Sequence, residues 1–198
     1  MPSVDVVIDA NGGGPQFEKD IFQQVLQIAE TRSAFGPKLT FIATSGTWVY
    51  GHNTTEIVSD TTALGVFNPP VELSTWRPEH EQNVVKSAVV NGIVIRPAMV
   101  YGRSGSLLNF LFKPAYEGTV KWYGAPGQRV SFVHQDDVAE LYRLVAEQAP
   151  ILGGQTFNAA NEATEGMDDI IRKLIELTGA KGPEYVAPNN GTQHSYRW

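Results

Sequence analysis

Cysteine is absent from the 198 residues. That excludes a disulfide framework, a thiolate zinc site, an iron–sulfur cluster and a cysteine nucleophile. Long apolar runs are missing too: no stretch approaches the ~20 residues a membrane-spanning helix requires. The opening Met1-Pro2-Ser3-Val4-Asp5 lacks the basic and apolar regions of a secretion signal. A soluble, cytoplasmic chain is expected. Positive charge is also scarce, since 15 Lys and Arg stand against 21 Asp and Glu, giving a net charge of -6. Without a basic stripe, neither a nucleic acid nor an anionic membrane surface is expected as partner. His52, His80, His134 and His194 show no close ligand spacing, so no metal site is expected. Apolar mass, by contrast, is sufficient: 42% hydrophobic against 18% charged residues supports a packed core.

Along the chain, apolar runs alternate with periodic segments. Ser3 to Ala10 (SVDVVIDA) reads as a buried strand, ended by Asn11-Gly12-Gly13-Gly14-Pro15. From Phe17 to Ala34, Phe17, Ile21, Phe22, Val25, Ile28 and Ala29 recur at helical spacing, and Gly36-Pro37 stops the helix. Lys38 to Thr44 is a second strand, and Gly51 to Ser74 an irregular loop. Pro78 opens a helix closed by Asn91-Gly92. Ile93 to Val100 reads as a third strand, and Leu107 to Gly118 as a helix broken at Pro114. Thr119–Tyr123 and Val130–His134 are short strands. Asp136 is expected to cap a helix through Gln148 whose inner face is Val138, Leu141, Tyr142 and Val145. Gln155–Ala159 is a last strand and Asp168–Thr178 a last helix, while the tail from Gly182 carries no period. Continuous apolar strands alternating with helices predict an α/β fold with a parallel sheet covered on two faces.

Three segments lie in order: Thr44-Ser45-Gly46-Thr47-Trp48-Val49-Tyr50-Gly51, Ile95-Arg96-Pro97-Ala98-Met99-Val100-Tyr101-Gly102, and Phe132-Val133-His134-Gln135-Asp136-Asp137-Val138-Ala139. With these, the sequence resembles the extended short-chain dehydrogenase/reductase superfamily, the NAD-dependent epimerase/dehydratase group, over roughly Val4 to Ala160. Family members begin with a strand, a Gly-rich turn and a helix that bind the cofactor pyrophosphate. Asn11-Gly12-Gly13-Gly14 does not continue that fingerprint, so the first strand resembles the family's fourth. The chain thus resembles a family member that lacks the N-terminal nucleotide-binding unit. The resemblance implies a partial, doubly wound Rossmann-like parallel sheet flanked by helices, with a small C-terminal substrate-lobe-like region. It implies residues 1–103 as the truncated core, and residues 104–198 as the C-terminal lobe with interspersed core elements.

The catalytic positions depart as well. Counting back from Gly51 puts Gly46 at the family's Ser/Thr position, with hydroxyls on its neighbours Ser45 and Thr47. Aligning Glu81 with the family's helix acid puts Leu73 and Arg77 at the Tyr and Lys of Tyr-x-x-x-Lys; aligning Lys86 instead puts Gln82 at Tyr. Neither register supplies the phenol that would transfer a proton.

The resemblance implies a set of site residues, each with a plainer alternative. Ser45 and Thr47 are the catalytic candidates, polarising a carbonyl or merely capping a turn. Ala10, Asn11, Thr44, Arg77 and Pro97 would border NAD or NADP if the chain binds either; Arg77 would otherwise pair with Glu81. Tyr101, Arg103 and Arg129 would meet substrate, beside Trp48, or else pack. Arg96 and His134 are expected to be structural, with Asp136 and Asp137 as cap and dipole partners. The implied function is an epimerase/dehydratase-like protein acting on a sugar-like or small carbonyl substrate. The alternative is a non-catalytic binding module on a relic fold. A homodimer through an exposed Val4–Ala10 edge is also expected.

Overall fold

The computed structural model describes residues 4–32, 35–51, 56–65, 72–103 and 106–186. Its elements in chain order are β1 (Val6–Asp9), α1 (Pro15–Glu30), β2 (Thr40–Thr44), α2 (Arg77–Val85), β3 (Asn91–Pro97), β4 (Met99–Tyr101) and α3 (Asn109–Tyr116). They continue with β5 (Thr119–Trp122), β6 (Arg129–His134), α4 (Gln135–Glu147), β7 (Thr156–Ala159), β8 (Thr164–Gly166), α5 (Met167–Thr178) and β9 (Lys181–Tyr185). The chain divides into two compact units, Met1–Pro97 with Val138–Ala159, and Ala98–Asp137 with Ala160–Trp198.

The first unit is built on a four-stranded parallel sheet in the order β1-β2-β3-β7. The apolar runs of β2 and β3 lie in its centre, with Phe41, Ile42, Ile93, Val94 and Ile95 fully buried. Each such side chain contributes roughly 1.5–3 kcal/mol when removed from water. Helix α1 lays Phe22, Val25 and Ala29 against Phe41 and Val84. Close approach sets one backbone position: a Cβ on Gly92 would lie 2.0 Å from the carbonyl oxygen of Val84, so only glycine lets β3 pass beneath α2 here. Strand β1 is an edge strand, bonded along one side to β2 and half-exposed. Helix α1 ends at Glu30, short of the Gly36-Pro37 stop expected of it.

The second unit packs α3 and α5 over short strands, with Trp122, Leu111, Met167 and Ile171 at its centre. β4 pairs with β6 in parallel, β6 with β8 antiparallel, and β5 with β9 in parallel.

Several expectations change. The run Ile93–Val100 is two strands in two sheets, β3 and β4, separated at Ala98. Pro97 has no amide with which to continue a ladder, and the chain leaves the first sheet there. Helix α3 is not broken at Pro114; it continues to Tyr116, held by buried Leu111 and Ala115. Asp136 is not the cap of α4 but lies in its first turn, and its amide donates to His134 Nδ1 at 3.2 Å. The inner face of that helix is as the periodicity predicts, with Val145 buried and Val138, Leu141 and Tyr142 half-buried. The tail from Gly182 is not patternless throughout, because residues up to Tyr185 form β9. Pairing decides that strand, and β8 likewise, since neither carries an apolar alternation. His52, Asn68-Pro69-Pro70, Ser104 and His194 lie outside the described residues. No helix among the described residues is long and apolar enough to cross a membrane.

Candidate functional site

In a parallel sheet the carboxyl ends of the strands release the chain into loops, and function concentrates there. At these ends in the first unit, β1 finishes at Asp9, which is 4% exposed. Its Oδ1 accepts from the amide of Asn11 at 3.1 Å and from Asn11 Nδ2 at 3.3 Å, tying down the turn into α1. Thr44, at the end of β2, donates its hydroxyl to the Asp9 carbonyl at 2.6 Å and meets the Tyr142 hydroxyl from α4. Arg77, the first residue of α2, donates from Nη1 to the Thr44 carbonyl at 2.9 Å. The Ser45 amide donates to the Ile95 carbonyl at 2.7 Å, while its Oγ is buried without a hydrogen-bond partner.

Glu18 completes this group. It falls on the apolar stripe Glu18, Phe22, Val25, Ala29 of α1 and is 2% exposed. Its Oε1 lies 3.5 Å from Arg77 Nη2 and makes no hydrogen bond. Burial pushes its pKa up to about 7; Arg77 opposes the rise and Asp9 adds to it. His80, one turn beyond Arg77, is also buried, with Nε2 unpartnered and its ring edge-on to Phe22 at 5.8 Å. Burial, then Arg77, hold its pKa below the ordinary value. Burial pushes the Tyr142 hydroxyl up. Perturbed acids and bases gathered at a strand end mark a functional-site candidate.

Arg77 does not pair with Glu81, as its spacing suggested. Glu81 turns to the sheet and accepts from Arg96 Nε at 3.1 and 3.2 Å and from Nη2 at 2.6 Å. Arg96 Nη1 donates to the Tyr50 hydroxyl at 2.7 Å, and Tyr50 lies 3.0 Å from Asn158 Oδ1 of β7. This network spans α2, β3 and β7 and holds the sheet. Gln82 is exposed, as is Leu73. Thr47 and half-buried Trp48 stand in the turn Thr47–Tyr50 after β2.

The structure therefore brings Asn11, Thr44, Ser45, Arg77 and Pro97 to one end of the first sheet, with Ala10 exposed on the turn after β1. Tyr101, Arg103 and Arg129 belong to the second unit. Tyr101 stacks edge-on to His134 at 5.2 Å. Arg103, with φ 50, donates to Asp136 Oδ1 from Nε at 3.0 Å and from Nη2 at 2.7 Å. Arg129, at the opposite end of β6 from His134, is taken up by Thr164, donating from Nε to Oγ1 at 2.7 Å and from Nη2 to the carbonyl. Among the described residues, no three His, Asp or Glu side chains could hold a metal ion.

No family model matches the chain, and no curated protein matches it. Solved structures do. The double mutant of DesIV, a dTDP-glucose 4,6-dehydratase from Streptomyces venezuelae with NAD and DAU bound, matches with a TM-score of 0.71 at 17% identity. That match covers 99% of this chain and 64% of the other. A dTDP-glucose 4,6-dehydratase from Bacillus anthracis in complex with NAD gives 0.69 at 18% identity, over 93% and 61% of the two chains. UDP-glucuronic acid 4-epimerase from Bacillus cereus, also with NAD, gives 0.67 at 21% identity, over 93% and 63%. The fold is that of the NAD-dependent epimerases and dehydratases. The chain spans 61–64% of the length of these three structures.

Within the epimerase/dehydratase fold, sequence reasoning found Thr44, Ser45 and Arg77 but missed Glu18, His80 and Tyr142. A signal for Glu18 was present: it stands three and four residues before Ile21 and Phe22, so a carboxyl group occupies the apolar stripe.

Proposed function

We propose that this chain binds a sugar-like or small carbonyl compound at the carboxyl ends of β1, β2 and β3, without phenol-based hydride transfer. The observation that carries the reading is a strand end supplied with polar groups but not with a proton-transferring phenol. Thr44, Ser45 and the Arg77 guanidinium converge there. By resemblance, Gly46 stands at the family's Ser/Thr position, and Leu73 or Gln82, depending on register, at its Tyr. The phenol that does reach the strand end, Tyr142, has its pKa raised by burial, whereas proton transfer near neutral pH calls for a lowered one. Ser45 and Thr47 would supply the hydroxyls that polarise a carbonyl.

For NAD or NADP, the positions to consider by resemblance are Ala10, Asn11, Thr44, Arg77 and Pro97. The turn between β1 and α1, Asn11-Gly12-Gly13-Gly14-Pro15, does not continue the Gly-rich fingerprint by which the resembled family donates amides to a pyrophosphate. Calorimetric titration with NAD(H) and NADP(H) is expected to give a Kd no tighter than about 1 mM, or ~4 kcal/mol. Micromolar binding, ~8 kcal/mol, overturns the reading in favour of a dehydrogenase-like activity.

We further propose a two-fold dimer through β1. Among the described residues the strand has no partner on its outer side, with Ile8 43% exposed and Val4, just before it, 61% exposed, and unpaired edge amides and carbonyls favour strand addition. Light scattering at tens of micromolar is expected to report twice 21.7 kDa. Val6→Asp with Ile8→Asp should return the species to a monomer, and a wild-type monomer refutes the proposal.

A further inference from the structure

Glu18 and Arg77 are charged partners that do not complete a bond. The Arg77 side chain is 21% exposed and spends Nη1 on the Thr44 carbonyl, and its nearest carboxylate oxygen is 3.5 Å away. The Glu18 side chain is buried, and its Oε1 has no hydrogen bond. Two acids share this strand end, and they are treated differently. Asp9 receives two hydrogen bonds from Asn11, while Glu18 Oε1 receives none. A buried carboxylate with an oxygen left without a donor is the costlier of two such charges, and the easier one to neutralise.

We propose that Arg77 and Glu18 form a proton-linked anion site, in which a ligand's carboxylate or phosphoryl group takes the guanidinium and Glu18 takes up a proton. The inference rests on reading the strand ends as a small-molecule site, and it adds the charge of the ligand. The charges balance. Free, the site holds Glu18 carboxylate and Arg77 guanidinium; bound, it holds ligand anion, guanidinium and neutral Glu18, with the proton drawn from solvent. Two anions and Asp9 around one guanidinium would leave a buried charge uncompensated, which is what drives the uptake. The titratable and charged groups facing the pair are Asp9 from β1, His80 from α2 and Tyr142 from α4. His80 is held toward its neutral form and Tyr142 toward its phenol, so Glu18 is the group whose protonation changes near neutral pH. The uptake has a sign: affinity for an anion falls as pH rises above about 7.

The test is calorimetry on the intact chain with three probes, namely glucuronate, glucose 1-phosphate and glucose. The two acidic sugars distinguish a carboxylate from a phosphoryl ligand. Titrations run between pH 6 and pH 9 in buffers of different ionisation enthalpy. Expected for at least one acidic sugar are tighter binding than glucose, uptake of about one proton above pH 7, and loss of up to about tenfold in affinity per pH unit there. Glu18→Gln should bind the same anion without pH dependence, and Arg77→Gln should lose the preference over glucose. A second readout keeps the test independent of any variant's folding: the carbon-13 carboxyl titration of Glu18 in the wild type should shift to higher pH when the anion is added. Equal, pH-independent binding of all three sugars overturns the anion site but leaves the small-molecule reading standing. Absence of binding by all three overturns both. An unmoved Glu18 titration, or proton uptake that persists in Glu18→Gln, overturns the proton linkage.

Discussion

Helix α2 contributes one member to each of two buried ion pairs, and the two are built in opposite ways. Glu81 and Arg96 are joined by three hydrogen bonds between 2.6 and 3.2 Å, with side chains 2% and 5% exposed. Arg96 has its remaining reach taken up by Tyr50. Glu18 and Arg77 stand 3.5 Å apart, without a hydrogen bond at Glu18 Oε1 and with the cation 21% exposed. A Glu and an Arg, one of them on α2 each time, thus make a structural clasp in one place and an incomplete pair in the other. Full bonding repays the desolvation of a buried pair, and its absence leaves a carboxyl group that titrates near neutral pH.

Three experiments would break or sharpen that contrast. The largest effect is expected from Arg96→Met, which strands the Glu81 carboxylate in the core. Urea unfolding should show a loss of about 3–5 kcal/mol, and a loss below ~1 kcal/mol would contradict the structural role.

The second concerns pH. Glu18 has a folded pKa of about 7 against an ordinary value of 4.5, so between those values the folded chain holds a proton that the unfolded chain has released. Its stabilising contribution is complete below pH 4.5 and is lost as pH rises through about 7. The decline amounts to about 3 kcal/mol for a fully buried group. Unfolding of wild type and Glu18→Gln at a series of pH values should show the variant lacking that decline. His80 acts with the opposite sign, losing stability as pH falls below its unfolded value, which separates the two groups in one profile. Parallel profiles for the two proteins would show that Glu18 does not titrate as described.

The smallest effect is expected at Gly46. Its φ of -177 is ordinary extended backbone, and an added Cβ would meet only the Pro97 carbonyl oxygen at 3.7 Å. Gly46→Ser should alter stability by less than about 0.5 kcal/mol. A larger loss would mean that space, rather than history, keeps a hydroxyl from this position.

Much of the fold was legible because burial imprints a period. The runs TFIAT and GIVI read as central strands, and the stripe through Phe22, Val25 and Ala29 read as the inner face of α1. Strands β8 and β9 were not legible, since residues such as Lys181-Gly182-Pro183-Glu184 become a strand only through the partner beside them. The site divides the same way. Thr44 and Ser45 could be located from motifs because they sit at fixed offsets from a strand end, and Arg77 by the alignment of Glu81 with the family's helix acid. Arg77's partner could not, because helical spacing offered Glu81 four residues away while the fold offered Glu18 from a different helix.

By itself, the sequence determined the parallel α/β arrangement, the exclusion of cysteine chemistry and the lack of a phenol at the expected catalytic positions. The first two follow from local period and composition, which no packing can alter, and the third from the motif offsets of the resembled family. Only the tertiary structure decided which acid meets which arginine, that Ile93–Val100 serves two sheets, and that a carboxyl group on an apolar stripe remains poised to gain or lose a proton. Those outcomes depend on distances between residues far apart in the chain and on how much water the fold leaves around each charge.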